Sequence, residues 1–318
     1  MDRFTSLEIC AGAGGQAIGL EQAGFNHLAL VEIEPLACQT LLANRPNWNV
    51  IQGDLRKFKA NRYKGVDLLA GGVPCPPFSV AGKQLGHLDG RDLFPESIRI
   101  AKECSPKAIL IENVRGLLDP KFKDYREKIL AEFKKLGYTC DWKLVNSCDF
   151  GVSQLRPRAL LIGFKKPYFE FFNWPSKSNK MPVPLGQLLY KEMSSLGWEN
   201  VENWMINANG IAPTLVGGSK KHGGADLGPT RSKKAWQELG VDGHGLADSP
   251  PVNGFKGLPK LTLKMTALVQ GFPVNWTFIG KKTPAYRQVG NAFPPPVARE
   301  IGKSIAKALK DGEEKRKR

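Results

Sequence analysis

The sequence lacks any pair of cysteines at the C-x-x-C spacing that is typical of structural zinc sites. Its six cysteines are spread along the chain, at Cys10, Cys38, Cys75, Cys104, Cys140 and Cys148. We therefore predict no metal site. A cytosolic chain of this size needs no disulfides, so most of these thiols are expected to be small buried hydrophobes.

The sequence also lacks an apolar run long enough to cross a bilayer, and its first residues, MDRFTSLEIC, lack the apolar core of a signal peptide. These absences predict a cytoplasmic protein with no membrane segment. With 318 residues, 42% of them hydrophobic, the chain can form one sizeable domain and a smaller second domain.

Acidic residues are outnumbered, because the chain has 30 Asp and Glu against 46 Lys and Arg, a formal net charge of +16. An excess of positive charge this large favours a polyanionic partner, and nucleic acid is the commonest one. The alternative is that the charge only keeps the protein soluble.

Short apolar runs alternate with amphipathic helical stretches in the first half of the chain, which predicts an α/β fold with a mostly parallel, doubly wound sheet. The predicted strands are residues 6–10, 28–32, 50–52, 66–70, 108–112, 142–146 and 158–164. The predicted helices lie near residues 15–23, 35–44, 93–103 and 121–136.

From residue 165 to about 283 the chain is rich in Gly, Pro, Trp and Lys, which predicts a smaller, loop-rich second domain. Three prolines at 294–296 then precede an apolar stripe at helical spacing, so we expect a last helix that packs on the first domain. The charged end, EEKRKR, is expected to be solvated and disordered.

The segment AGAGG (residues 11–15) follows the first predicted strand, and glycines there let the backbone approach a ligand closely. Glu32 ends the second strand, where a carboxylate binds ribose hydroxyls in nucleotide sites, and Asp54 follows the third. Ala17 interrupts a strict G-x-G-x-x-G pattern. The turn alone therefore indicates either an adenosine-containing cofactor or a tight turn without a ligand.

The segment GGVPCPPFS (residues 71–79) follows the next predicted strand. Its prolines and glycines prevent regular structure, so we expect the Cys75 thiol to be displayed on a stiff loop at the ligand edge of the sheet. A nucleophilic cysteine needs cations nearby, and Lys83 and Arg91 are available in the same segment. The alternative is a buried thiol without a chemical role.

Glu112 ends a buried strand, where a carboxyl group is costly unless it is paired or functional. It can donate a proton to a ring nitrogen there, or simply cap the following loop. Arg156 and Arg158 are expected to share one face of the last strand and to bind a phosphate or a carboxylate, the alternative being a solvated basic edge.

In this order the motifs resemble those of the DNA cytosine-5 methyltransferases. They are the glycine-rich turn, Glu32, Asp54, Pro74-Cys75, Glu112-Asn113-Val114, Gln154-x-Arg156-x-Arg158 and Gly290-Asn291. The resemblance covers the first 164 residues nearly continuously and resumes at 208–218 and 261–308. It implies a Rossmann-like S-adenosylmethionine-dependent methyltransferase fold. The implied catalytic domain is residues 1–168 plus 284–318, and the implied target-recognition domain is residues 169–283.

The reaction that the resemblance implies is methyl transfer from S-adenosyl-L-methionine to C5 of a flipped-out cytosine in double-stranded DNA, with S-adenosyl-L-homocysteine as product. Cys75 would add to C6 of the ring, and Glu112 would bind N3 and the exocyclic amine. Arg158 would hold the cytosine, with Arg156 in support.

The implied cofactor pocket has three parts. The glycine-rich turn would follow the methionine and the adenosine, Glu32 would bind the ribose and Asp54 the adenine amine. Its full set is Cys10, Ala11, Gly12, Ala13, Gly14, Gly15, Glu32, Ile33, Asp54, Leu55, Pro74, Leu93 and Asn291. Departures from the family pattern are Cys10 in place of Phe, Ile33 in place of an aromatic residue, and Pro76 in place of Gln; none removes a catalytic group.

The predicted DNA contacts fall on two segments, one implied by the resemblance and one inferred from its basic residues. Ser79 and Arg91 lie on the mobile loop that closes over the target in this family, with Lys83 between them. A glycine-rich basic segment from residue 217 is expected to place Lys220 and Lys221 on phosphates and Arg231 on a guanine edge. The alternative for this segment is a solvated loop.

Size and family together predict the modification enzyme of a restriction-modification system. We expect a monomer that associates with the nucleoid through DNA and shares its site with a companion restriction endonuclease. Three alternatives remain open: a tRNA cytosine-5 methyltransferase, a catalytically idle nucleic-acid-binding protein, and a nicotinamide-dependent oxidoreductase.

Overall fold

The computed structural model describes residues 4–74, 92–179, 181–218 and 224–317. The chain forms two compact units, and each is described by itself. The sheet unit comprises Met1–Val145, Pro157–Ser176 and Ala298–Arg318, and the helical unit comprises Asn146–Arg156 and Lys177–Val297. The extents of a catalytic domain and a recognition domain stay predictions, because they are statements about function.

The described strands form one mixed sheet. They are β1 (Phe4–Ile9), β2 (Phe25–Glu32), β3 (Val50–Gln52), β4 (Leu68–Gly72), β5 (Ala108–Val114), β6 (Tyr138–Asn146) and β7 (Pro157–Lys165). Their order is β3-β2-β1-β4-β5-β7-β6. The first five pair in parallel, whereas β7 runs antiparallel to β5. The predicted α/β fold with a mostly parallel sheet is confirmed.

Helices connect most of the strands, and five short helices of the described residues lie in the helical unit. In the sheet unit they are α1 (Gly15–Gln22), α2 (Pro35–Asn44), α3 (Phe94–Cys104) and α4 (Lys123–Lys135). In the helical unit they are α5 (Leu185–Met193), α6 (Val201–Asn207), α7 (Thr230–Glu238), α8 (Leu263–Val269) and α9 (Lys282–Asn291). The last helix is α10 (Pro295–Lys317). No helix in the described ranges is long and apolar enough to cross a membrane.

Strand alternation decides which residues form the core of the sheet unit. Leu7 and Ile9 of β1 belong to a buried apolar cluster that also contains Ile100 of α3 and Phe133 of α4. The residues between them face the opposite side of the sheet. On that side His27 of β2 contacts Ser6 Oγ at 2.8 Å and the Ala17 carbonyl oxygen of α1 at 3.0 Å.

Helix α10 packs on the sheet unit, as the sequence predicts. A Cβ at Gly302 would lie 2.7 Å from the Cβ of Ala23, so the glycine permits close packing of α10 on the end of α1. The prediction of a disordered tail is wrong, because α10 continues to Lys317. Its last turns are held by side chains: Tyr168 Oη donates to Glu313 at 2.6 Å, and Lys315 pairs with Glu170 at 2.8 Å.

Candidate active site

The carboxyl ends of five strands meet along one edge of the sheet. Ile9 at the end of β1 pairs with Val31 of β2 on one side and with Gly71 of β4 on the other. Gly72 of β4 pairs in turn with Glu112 of β5. The order of the strands reverses between β1 and β4, the place where open α/β sheets bind ligands. The predicted site residues of the sheet unit that follow these strands therefore share one edge.

The glycine-rich turn after β1 is held by Glu32. The backbone N–H of Gly12 donates to Glu32 Oε2 at 2.7 Å, and the N–H of Glu34 donates to Oε1 at 2.8 Å. Burial raises the pKa of Glu32, while these N–H groups favour its charged form. Gly12 has φ +55°, and a Cβ there would meet nothing within 4 Å, so this turn borders open space.

The neighbouring strand ends suit an adenosine. Ile33, directly after Glu32, is 55% exposed and offers an apolar surface to a flat ring. Asp54 accepts from the backbone N–H of Arg56 at 3.0 Å, which fixes its carboxylate after β3. Carboxylate oxygens that already accept one hydrogen bond have lone pairs left for ribose hydroxyls or an exocyclic amine. The donor and acceptor set present therefore fits the predicted cofactor.

Cys10 occupies an unusual backbone position at the start of this turn. Its φ of +50° lies in the left-handed region, which is uncommon for a residue with a side chain. Burial, followed by the negative charges of Glu32 and Asp54, raises the pKa of its thiol. Cys10 therefore stays a neutral thiol, and it can serve as a small apolar contact where the family pattern has an aromatic ring.

Burial also keeps other described cysteines protonated. It raises the pKa of Cys38 to about 11 and that of Cys104 and Cys140 to about 12. The pKa of Cys148 is raised as well, by burial and by Asp149. None of the five cysteines that the structure describes is thus placed to act as a thiolate. The predicted nucleophile, Cys75, lies outside the described residues.

A buried ion pair lies at the end of β5. Arg158 Nε is 2.8 Å from Glu112 Oε1, and both side chains are almost fully buried. On the antiparallel pair of β5 and β7, Arg158 stands opposite Val114, so the ion pair is diagonal across the two strands. Burial lowers the pKa of the Arg158 guanidinium, and the charge of Glu112 opposes this effect.

Two further residues restrict the ion pair and the segment beside it. A Cβ at Gly72 would lie 3.2 Å from Glu112 Oε2, so a side chain at this position would press on the carboxylate. Asn113 donates from Nδ2 to the carbonyl oxygen of Val73 at 3.1 Å, and its Oδ1 accepts from the N–H of Val114 at 2.8 Å. Asn113 thereby fixes the backbone directly before Pro74, where the predicted catalytic loop begins.

The structure departs from the expected placement of Arg156. Strand β7 begins at Pro157, so Arg156 lies before the strand and within the helical unit. Its guanidinium is fully buried and donates to the carbonyl oxygens of Leu215 at 2.8 Å and Gly290 at 2.7 Å. These backbone partners, distant in sequence, replace the phosphate or carboxylate that the sequence suggested.

Gln154, which the sequence analysis quoted only as part of a motif, belongs to the same buried network. Its Oε1 accepts from the N–H of Leu215 at 2.9 Å, and its Nε2 donates to Gln270 Oε1 at 2.6 Å. The segment ending at Gly218 is thereby tied to the residue that follows α8. In the sequence, only the spacing of Gln154 and Arg156 in the motif indicated that Gln154 has a structural role.

Asn291, the last residue of α9, lies against the same segment. Its Nδ2 donates to the carbonyl oxygen of Gly218 at 3.2 Å. A Cβ at Gly290 would lie 2.5 Å from the backbone N of Gly217, so two glycines allow the two backbones to touch. This close approach fixes the position of Asn291 within the helical unit.

The remaining predicted residues are placed as follows. Arg231 is exposed on α7, Leu93 is buried before α3, and Pro74 is exposed after β4. Ser79, Lys83, Arg91, Lys220 and Lys221 lie outside the described residues. Within the described ranges, no cluster of His, Cys, Asp and Glu could hold a metal ion.

Comparison with known proteins identifies the family. The model of C-5 cytosine-specific DNA methylases matches residues 4–307. The chain belongs to the C-5 cytosine-specific DNA methylases. It is 57% identical over 311 residues to the Type II methyltransferase M.NgoMIV of Neisseria gonorrhoeae, covering 97% of this chain and 99% of that protein. It is 51% identical to the Type II methyltransferase M.NaeI of Lentzea aerocolonigenes, covering 97% of this chain and 76% of that protein.

Solved structures agree with the fold of this family. A prophage-encoded protein of Escherichia coli, described as a DNA modification methyltransferase, superposes with a TM-score of 0.68 at 21% identity, covering 96% of this chain and 99% of the other. Spodoptera frugiperda DNMT2 superposes with a TM-score of 0.65 at 18% identity, covering 95% and 99%. The C-5 cytosine-specific DNA methylases use S-adenosylmethionine as methyl donor, which agrees with the adenosine-type site at the sheet edge.

Proposed function

We propose that this chain is the DNA methyltransferase of a Type II restriction-modification system and methylates C5 of one cytosine in a short duplex sequence. The observation that carries the proposal is the buried Glu112–Arg158 pair, 2.8 Å apart, beside the strand that leads to Pro74 and Cys75. The relatives M.NgoMIV and M.NaeI, both Type II methyltransferases, support DNA as the substrate. No feature of the described residues favours the tRNA alternative.

The first chemical step is addition of the Cys75 thiolate to C6 of the flipped-out cytosine. The C5–C6 double bond opens, and its electron pair moves towards C5. Glu112 binds N3 and the exocyclic amine, and the proton that its carboxyl group donates to N3 compensates the negative charge that develops on the ring. Arg158 holds that carboxyl group in place at 2.8 Å.

S-adenosylmethionine, when bound, would supply the electrophilic methyl group that C5 receives. A base then removes the proton from C5, and the electron pair of that C–H bond restores the double bond as Cys75 leaves. The residues of the sheet edge would bind the adenosine of that cofactor, Glu32 at the ribose and Asp54 at the adenine amine. Asn113 holds the backbone at Val73 and so positions the loop that carries Cys75.

We assign sequence reading to residues 169–283. Lys220 and Lys221 bind phosphates, and Arg231, exposed on α7, reaches a base edge. Because the identity to M.NgoMIV extends over 311 residues, this region is included in the likeness. We therefore propose that the two proteins modify the same DNA sequence. The protein acts as a cytoplasmic monomer, and a companion endonuclease cuts the same sequence when it is unmethylated.

The test is to incubate the protein with S-adenosylmethionine and unmethylated genomic DNA and to map 5-methylcytosine at single-base resolution. M.NgoMIV is treated in parallel, and Cys75→Ala is the matched control. Methylation of one short sequence, shared with M.NgoMIV and absent from the control, supports the proposal. Methylation of tRNA but not of DNA would contradict it, and a different DNA sequence would contradict the shared specificity alone.

A further inference from the structure

A cavity of about 640 Å³ lies at the outer edge of the sheet, beside β3. Strand β3 is the edge strand, so the apolar face of the sheet ends here and is closed by the loop that follows β3. Val31, Ile51 and Phe58 supply apolar surface to the cavity. The volume falls within the roughly 300–1,000 Å³ that is usual for small-molecule sites.

The loop that closes the cavity, which follows β3, is held in place by side chains of α3. Arg99 of α3 donates to the carbonyl oxygen of Leu55 at 2.9 Å. Glu103, one turn further along α3, accepts from the backbone N–H of Ala60 at 2.7 Å and pairs with Arg99 at 2.5 Å. Phe58 stacks on Tyr63 with ring centroids 5.9 Å apart and planes 25° apart. The cavity therefore has a fixed wall.

Three cations line the cavity: Lys57, Lys59 and Arg62. All three are exposed, and none forms an ion pair with a described residue. Lys59 is near enough to Glu103 to help lower the pKa of that carboxyl, and Arg62 lies 4.8 Å over the ring of Tyr63. The acidic residue of the lining, Asp54, is already paired with Arg56 at 3.4 Å. The lining therefore carries a surplus of positive charge.

The combination of an apolar floor and a cationic rim selects a ligand that has a flat apolar part and an anionic part. Asn61, also on the rim, carries both a donor and an acceptor, which is what the edge of a nucleobase requires. Lysine and arginine are the usual partners of a phosphate. We propose that this cavity is a second ligand site, which binds a nucleoside 5′-monophosphate with its base on the floor and its phosphate on the three cations.

The site adjoins the predicted adenosine site, because Asp54 belongs to both, but Ile33, Leu55 and Cys10 do not line the cavity. Its test must therefore keep the cofactor site filled. The whole protein is saturated with S-adenosylhomocysteine and titrated with the fluorescent 2-aminopurine deoxyriboside 5′-monophosphate. Saturable binding is expected, and the deoxyriboside without phosphate is expected to bind at least about tenfold more weakly, since a tenfold change is what removal of one strong polar interaction produces.

The decisive variant reverses all three cations: Lys57→Glu, Lys59→Glu and Arg62→Glu. It is expected to weaken binding of the monophosphate about tenfold or more, while Lys64→Glu, an exposed residue of the same basic run outside the cavity, leaves binding unchanged. Retained methyltransferase activity shows that the variant is folded. Binding that disappears once S-adenosylhomocysteine is saturating, or that the triple variant leaves intact, would overturn the proposal.

A nucleoside 5′-monophosphate group can come from a free nucleotide or from the end of a DNA strand, and competition experiments distinguish these two sources. Displacement of the probe by free mononucleotides alone identifies the cellular nucleotide pool as the source. Displacement also by a linear duplex with 5′-phosphates, but not by closed circular DNA, identifies a DNA end. Equal displacement by closed circular DNA would mean general binding to the phosphate backbone and would contradict a nucleotide pocket. None of these outcomes depends on which cytosine the enzyme methylates.

Discussion

Asn113 donates a hydrogen bond from its side chain to the carbonyl oxygen of Val73, 3.1 Å away, and this bond joins the end of β5 to the residue before Pro74. Asn113→Asp replaces the donor by an acceptor and leaves two oxygens facing each other. We expect kcat to fall about ten- to a hundredfold, because a small misplacement of a reacting group is enough for that decrease.

Cofactor affinity should change less than kcat in Asn113→Asp, because Asn113 has no hydrogen bond to Glu32 or Asp54 and can affect the cofactor pocket only through Pro74. The measurement is single-turnover methylation alongside equilibrium binding of S-adenosylhomocysteine. Asn203→Asp, at an exposed position of α6, is the matched control. Equal kcat in Asn113→Asp and the wild type would show that the bond does not position the loop.

Glu112→Gln keeps the size of the side chain and removes its charge, which leaves Arg158 buried without its ion pair. Breaking a buried pair in this way costs about 3–5 kcal/mol of folding free energy. Removing both charges, in Glu112→Gln with Arg158→Met, should recover most of that stability, while both proteins lack methyltransferase activity. Urea unfolding and activity assays distinguish the two effects, and a double variant as unstable as the single one would refute the coupling.

Gly72→Ala tests how closely Glu112 is confined. The added Cβ would lie 3.2 Å from Glu112 Oε2, so the carboxylate must shift by a few tenths of an ångström. We expect a lower kcat with an almost unchanged Kd for the cofactor. Gly245→Ala is the control, because the nearest atom to its Cβ would be at an ordinary 3.8 Å. The same decrease of kcat in both variants would point to a general packing defect.

Glu8 should make stability depend on pH. It is 1% exposed, and burial raises its pKa from 4.5 to about 8. Between these two values the folded protein holds a proton that the unfolded chain has released, so stability falls as pH rises, by at most about 1.4 kcal/mol per pH unit. Glu8→Gln should remove this slope and stabilise the protein near pH 8, whereas Glu127→Gln, exposed on α4, should not. A wild-type stability that is flat between pH 5 and 8 in urea titrations would contradict the account.

If Lys220 and Lys221 bind DNA phosphates, the affinity for DNA should depend less strongly on salt concentration once both are changed to Gln. Each phosphate that is no longer neutralised should reduce the slope of log K against log salt by about 0.9. Lys315→Gln is the control, because Lys315 lies on α10 and already pairs with Glu170. Lys233, in the same basic segment, pairs with Asp226 at 3.0 Å and is left unchanged. An unchanged slope in the double variant would exclude these lysines from the interface.

The strands of the sheet could be predicted from the sequence because buried parallel strands appear as short apolar runs. The predicted cofactor and catalytic motifs follow directly after these runs, which placed them at one edge of the sheet. It also brought Glu112 and Arg158 into one site, although only the structure shows that they form an ion pair. Arg156 was misplaced because its partners are backbone carbonyl oxygens, which have no signature in a sequence. The helical end of the chain was missed for a related reason: its stability comes from Tyr168 and Glu170, far away in the sequence.

The close approach of Gly217 and Gly290 has a practical consequence for engineering. One end of the segment between Gly218 and Thr262 is anchored there, and the other enters α8, where Thr262 caps the helix by accepting from the N–H of Met265 at 3.2 Å. Since the entropy of closing a loop between fixed ends grows only slowly with its length, segments of quite different length can be grafted between these anchors. A part of the proposed recognition region can therefore be exchanged between two defined points, Gly218 and Thr262.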